Sequence, residues 1–163
     1  VSIGDQVLKF TGEKVSDTEL KNELNLAKSS KSFFSTSVHK YGMTLRLKNI
    51  LVLGDRMFFS FEISNKSNIP YDLDFMRTYI RDRQRSKRSS FEEKEIIPFY
   101  KDCLVTLFKT TKSEFIIGLP KFTLSDNKDF CIELFEENGG RNLSMKIKNR
   151  QLLRSKDLLT HNR

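Results

Sequence analysis

The chain has 163 residues, with 29 Lys+Arg against 21 Asp+Glu for a formal net charge of +8, and it is 37% hydrophobic and 31% charged. That length can bury a real core without disulfide staples, and 14 Phe with 4 Tyr supply bulky material for it, which excludes an intrinsically disordered chain. No apolar run of about 18 residues is present, which excludes a membrane-spanning helix.

The opening VSIGDQ carries neither an initiator Met nor a signal-peptide pattern, so the sequence is expected to be a fragment of a longer product. Residues 1–40 read as an arm. SDTE at 16–19 has capping-box form, with Ser16 as N-cap and Glu19 at N3. Leu20, Leu24 and Ala27 follow at i, i+4 and i+7, which aligns an apolar stripe on a short helix. KSSKSFFSTS (28–37) then reads as a Ser-rich linker carrying a hydrophobic pair, Phe33 and Phe34, to be anchored on the following domain or on a partner.

From Tyr41 the period becomes two. Met43, Leu45 and Leu47 alternate with Thr44, Arg46 and Lys48, Gly54-Asp55 marks a tight turn, and Met57, Phe59, Phe61 and Ile63 share a face, so residues 41–64 predict a β-hairpin. NKSNIP (65–70) is a turn cluster. YDLDFMRTYIRD (71–82) predicts a strand with Leu73, Phe75 and Tyr79 on one face and Met76, Thr78 and Ile80 on the other, covered on both sides for part of its length. Strands follow at EIIPFY (95–100), LVTLFKT (104–110) and EFIIGLPKFTL (114–124), with Pro98 and Pro120 at ends, edges or bulges. DFCIELFEENGGRNLSMKIKN (129–149) predicts a second hairpin around Asn138-Gly139-Gly140, with Ile132, Leu134, Leu143, Met145 and Ile147 in the core.

Short strands punctuated by turns, with no helical period after residue 40, predict a mainly β protein, an antiparallel β-sandwich of immunoglobulin-like form with a short N-terminal helix and arm; a barrel is the main alternative. The expected division is an arm over 1–40, a sandwich domain over 41–154 and a basic flexible tail over 155–163.

The catalytic inventory is thin, so a non-enzymatic protein without cofactor is expected. His39 and His161 are the only histidines and neither falls in a triad pattern. No GxxxxGK or GxGxxG phosphate loop occurs. Cys103 and Cys131 show no CxxC spacing and no nearby His, so no metal site is expected; they read as buried thiols or, in an oxidising compartment, as a disulfide. Asp72 and Asp74, at i and i+2, read as carboxylates on the wet face of a strand before a cation pair, and SDNKD (125–129) reads as a turn. The sequons at Asn65 and Asn142 would matter only in a eukaryotic secreted protein.

The conspicuous feature is RTYIRDRQRSKR (77–88), where Arg77, Arg81, Arg83, Arg85, Lys87 and Arg88 stand beside one acid, Asp82. Three readings compete: a solvated edge that blocks strand pairing, a rim that docks on an acidic protein surface, and a nucleic-acid patch. Tyr79 is the sole aromatic in the run and Glu92, Glu93 and Glu95 follow it, which counts against a stacking platform for bases.

The block YGMTLRLKNILVLGDRMFFSFEISNKSNIPYDLDFMRTYIRDRQRSKR (41–88), continued by Ile97-Pro98-Phe99-Tyr100 and the NGGR at 138–141, resembles the TraN family of Bacteroides-type conjugative transposons over about Tyr41 to Arg154. The resemblance implies a non-enzymatic part of a conjugation apparatus, exported to the periplasm and working, in association with the outer membrane, in a type IV secretion-like channel. By looser analogy, it implies a place like that of the β-sandwich subunit of the outer-membrane core complex, which contacts a lipoprotein and a channel-forming partner. Its partners would be other conjugative transfer proteins of the envelope complex or further copies of itself. Periplasmic placement also favours pairing of Cys103 with Cys131. On this reading Phe33, Phe34, Arg81, Arg83, Arg85, Lys87 and Arg88 are the partner-binding candidates, with strand addition at a sheet edge as the mechanism. The rival reading is a module that contacts the transferred DNA through the basic run.

Overall fold

The computed structural model describes residues 16–83, 92–102, 106–107 and 110–161. The capping box forms as spelled: Ser16 Oγ accepts from the Glu19 amide and the Ser16 amide donates to Glu19 Oε2, both at 3.2 Å. It starts helix α1 (Asp17–Ser29).

Two antiparallel sheets follow. The first orders β1 (Ser37–Lys40), β2 (Met43–Leu53), β3 (Arg56–Asn65), β8 (Thr111–Pro120) and β6 (Tyr100–Lys101) side by side. The second orders β10 (Leu143–Lys148), β9 (Lys128–Glu136), β4 (Tyr71–Asp82) and β5 (Glu93–Glu95), with β7 (Thr106–Leu107) also on β4. Leu45, Leu47, Phe59, Phe61, Ile117, Phe130, Ile132, Leu143 and Ile147 meet between them, each fully buried. This is the antiparallel β-sandwich that the alternating pattern predicts.

The turns explain the hairpins. Tyr41 and Gly42 both take positive φ (57° and 75°), the twist that suits a two-residue β-turn, and so join β1, at the end of what reads as arm, to β2. Two β-bulges depart from the expected parity. Leu47 faces Phe61 while Asn49 faces Ser60, so Lys48 is an extra residue and the inward face switches from odd to even positions at Ile50. Leu73 faces Glu136 and Phe75 faces Phe135, so Asp74 is extra. That second bulge corrects the faces of β4: Leu73 packs inward with Met76 and Ile80, whereas Phe75 and Tyr79 point outward. Asp72 and Asp74 consequently differ in setting: Asp72 accepts from Thr106 Oγ1 at 2.7 Å, and Asp74 is exposed on its bulge.

Segments at both ends of the described chain pack on the sandwich. Leu24 and Ala27 bury on Leu51, Phe58, Ile116 and Leu158 across the outer face of the first sheet, and Glu23 and Arg56 form a two-bonded ion pair beside them. The helical part of the arm is therefore docked. The basic tail is docked as well: Lys156–Asp157 form β11, parallel to Leu51 and Val52 of β2, and Leu158 is fully buried at the start of α3 (Leu158–His161). A short α2 (Asn149–Leu152) connects β10 to this segment. Burial of Leu158, the two ladder residues, and the contacts of Lys156 and His161 with Phe33 hold a segment whose composition reads as frayed.

Candidate docking surface

The strand β4 carries the first half of the basic run, and its neighbours neutralise much of it. β5 pairs antiparallel with Tyr79–Arg81, which brings the acids that follow the run back alongside it. Arg77 binds Glu93 and Glu95, and its guanidinium lies 4.1 Å from the centre of the Tyr79 ring. Asp82 pairs with Lys128 at 3.4 Å. Arg83 donates to Asp129 Oδ1 through Nε and Nη2, at 3.2 and 3.0 Å, and Asp129 is only 3% exposed. Arg83 thus satisfies a buried carboxylate first, and only its remaining donors face outward. Arg81 sits over Tyr79 and Cys131, both buried on this outer face. Burial raises the Cys131 thiol, and burial together with a hydrogen bond to Glu133 raises the Tyr79 phenol. Arg85, Lys87, Arg88 and Cys103 lie outside the described residues.

Phe33 and Phe34 are anchored on the chain's own domain. Both amides donate to the Lys48 carbonyl, at 3.1 and 3.0 Å, and Phe34 is 4% exposed in the main core. Phe33 packs edge-on to His161 at 5.1 Å and lies under Lys156. Phe34 is therefore committed to the chain's own core, while Phe33 is half-buried against it and keeps part of its ring at the surface.

What remains open lies at one pole of the sandwich. Arg83, at the end of β4, meets Lys148, Asn149 and Arg150, at the end of β10, around an open groove of about 420 Å³ that also has Asp126 and Leu153 on its rim. Arg150 and Lys148 are exposed, as is Leu153 at 68%. Lys148 and Arg150 were missed by reading the basic run alone. Their signal was present in MKIKNRQLLRSK (145–156), a second basic string, but only the shared polarity of β4 and β10 brings its middle beside Arg83. Strand addition meets poor edges among the described residues: β1, β5 and β6 have four, three and two residues, and Lys146 and Lys148 are exposed along β10.

The opposite pole is held by Arg141, the last residue of the NGGR turn. It donates to Glu136 through Nε at 2.9 Å, to Ser67 Oγ at 2.9 Å, and to the carbonyls of Ile69 and Pro70 at 3.2 and 2.7 Å. Asn65, fully buried, closes the same loop: its Oδ1 accepts from the Ser67 amide and hydroxyl, and its Nδ2 donates to the carbonyls of Ile69 and Leu107. The Asn65 sequon is therefore occupied by internal bonds. The hydrogen bond from Arg141 holds the Glu136 carboxyl below its ordinary range, while burial pushes the Tyr71 phenol up to about 12. NKSNIPYD and NGGR, far apart in the chain, are two halves of one clamp.

His39 is exposed, with its ring nitrogens on Ser37 Oγ at 3.1 Å and Thr44 Oγ1 at 2.9 Å. Among the described residues, no carboxylate orients it. Among the described residues, no cluster of three His, Cys, Asp or Glu could hold a metal ion, and no helix is long and apolar enough to cross a membrane.

No curated protein matches the chain. The family described as Domain of unknown function (DUF4138) matches residues 18–157, which run without a break from α1 through the sandwich to β11. Helix, sandwich and returning tail are thus one family unit, and the chain belongs to the DUF4138 family.

Proposed function

We propose that this chain is a non-enzymatic structural subunit of a conjugative transfer apparatus of type IV secretion-like form, working in the periplasm at the outer membrane, and that it docks an acidic partner protein at its basic pole. The observation that carries the docking is the convergence of Arg83, Lys148 and Arg150 on one open groove, where Lys148 and Arg150 are exposed and Arg83 keeps donors beyond those it gives to Asp129. The apparatus rests on the resemblance to the TraN family. That resemblance rests on the 41–88 block, above all NKSNIPYD…YIRD, and continues to the NGGR at 138–141; NKSNIPYD and NGGR clamp the fold here.

An acidic protein fits the groove better than single-stranded DNA. Among the described residues its lining offers a Leu and an Asn and no aromatic ring, while general single-strand binding combines cations with stacking platforms. The test is co-purification of the full-length protein with the other transfer proteins, comparing wild type with Lys148→Glu/Arg150→Glu. Loss of one envelope partner, with unchanged thermal unfolding, supports the reading. Retention of every partner refutes docking at this pole. Salt-sensitive binding to single-stranded DNA that the same variant abolishes would favour the DNA-contacting reading instead.

A further inference from the structure

A second concavity lies on the other side of the molecule, between the C-terminal end of α1 and the outer face of the first sheet. It measures about 240 Å³ and is lined by residues from separate segments: Lys28 and Ser30, Lys48 and Asn49, Ser60, Asp102 and Glu114, with Ala27, Phe115 and Ile116 as apolar wall. At roughly 30 Å³ of liquid volume per water, that space suits several waters or one small molecule.

Three observations set it apart from a packing defect. First, Ser60 is 6% exposed and its Oγ has no hydrogen-bond partner, although hydroxyls so deeply buried are normally satisfied. Second, the cavity sits at the Lys48 bulge, the extra residue that brings Lys48 and Asn49 together to its edge; bulges of this kind re-aim side chains beside functional sites. Third, its charges are balanced and paired. Lys28 Nζ pairs with Asp102 Oδ2 at 3.1 Å, and Lys48 pairs with Glu114. Asp102 is held in turn by the Ile116 amide on Oδ1 at 2.5 Å and by the Tyr100 hydroxyl on Oδ2 at 3.3 Å.

Among the described residues the lining has two ammonium groups and two carboxylates and no net charge, so it does not suit phosphate or a polyanion. It does match a ligand that carries both signs a few ångströms apart. We propose that this cavity binds a small zwitterion of the α-amino-acid type. The ligand carboxylate takes the spare donors of Lys28 and Lys48 and the Ser60 hydroxyl; the ligand ammonium takes the free lone pairs of Asp102 and Glu114. Each ammonium has three donors and each carboxylate about four acceptor sites, so the ligand adds to the existing pairs without breaking them. This goes beyond the docking function and does not depend on it, because the cavity lies on the α1 side and shares no residue with the basic pole.

The experiment is isothermal titration calorimetry of the full chain with glycine, L-alanine, L-glutamate and L-lysine. N-acetyl-L-alanine, L-alanine methyl ester and inorganic phosphate are the controls. The expected result is saturable binding of at least one amino acid, weakened about tenfold or more when either of its charges is blocked, as the loss of one charge-assisted bond implies. Lys28→Met, on the exposed end of α1, and Ser60→Ala, beneath it, should each weaken binding by about tenfold with unchanged circular dichroism. Lys28→Met keeps the test intact if Ser60→Ala misfolds. No heat from any amino acid, equal binding of the blocked analogues, or undiminished binding by folded Lys28→Met overturns the proposal and leaves the cavity to water only.

Discussion

Arg141→Met is the sharpest test of how this fold is held. The Arg141 side chain makes five hydrogen bonds, two to Glu136 and three to the 67–70 loop, and it is 15% exposed against 10% for Glu136. Methionine keeps most of the volume and removes every donor. The Glu136 carboxylate is then left nearly buried with only the Arg141 backbone amide on Oε2. Breaking a buried pair from one side costs about 3–5 kcal/mol, because an uncompensated charge stays behind. At an m-value of about 2 kcal/mol/M, the urea midpoint should fall by about 1.5–2.5 M. The double variant Arg141→Met/Glu136→Leu should recover most of this. The Ile69 carbonyl keeps its bonds from Asn65 and Ser67, and Pro70 is exposed enough for water to replace Arg141, which leaves a cost of about 1 kcal/mol. The pH dependence has a definite sign. Glu136 has a folded pKa below its unfolded one, so its contribution is present above the unfolded value of about 4.3 and is lost as pH falls through the folded value. Wild type should therefore lose more stability than Arg141→Met between neutral pH and acid. A single variant that costs under about 1 kcal/mol, or a double variant no better than the single, would refute the clamp.

Phe34→Ala should cost about 3–5 kcal/mol by urea unfolding, as for a core aromatic; a surface linker residue would move the midpoint little. Leu158→Ala should cost about 2–4 kcal/mol while its neighbour Leu159→Ala, 49% exposed, stays within about 0.5, and equal effects would contradict the docked tail. In a Cys103→Ser background, the fully buried Cys131 thiol should react with a thiol reagent only after unfolding; rapid labelling of the native chain would contradict its burial under Tyr79 and Arg81.

Much of this architecture is legible along the chain. The capping box at Ser16, the Gly54-Asp55 turn and the alternations of 57–63 and 143–147 each encode their element within a few residues, because helix caps, tight turns and pleats are local. The bulges at Lys48 and Asp74 are not legible in this way. An alternation that slips by one residue looks continuous until a partner strand shows which residue has no opposite number.

The candidate sites divide in the same way. Sequence by itself determined the mainly β class, the N-terminal helix and the existence of a basic run, since these follow from period, turn chemistry and charge count, while the choice of sandwich over barrel rests on the two separate sheets. Only the tertiary structure decided that Phe34 and Leu158 are core residues, that Arg83 serves a buried Asp129, and that Lys148 and Arg150 share its groove. These depend on contacts between segments tens of residues apart. Composition can rank a side chain as apolar or charged, but whether it meets its own chain or a partner is settled by which strands lie side by side.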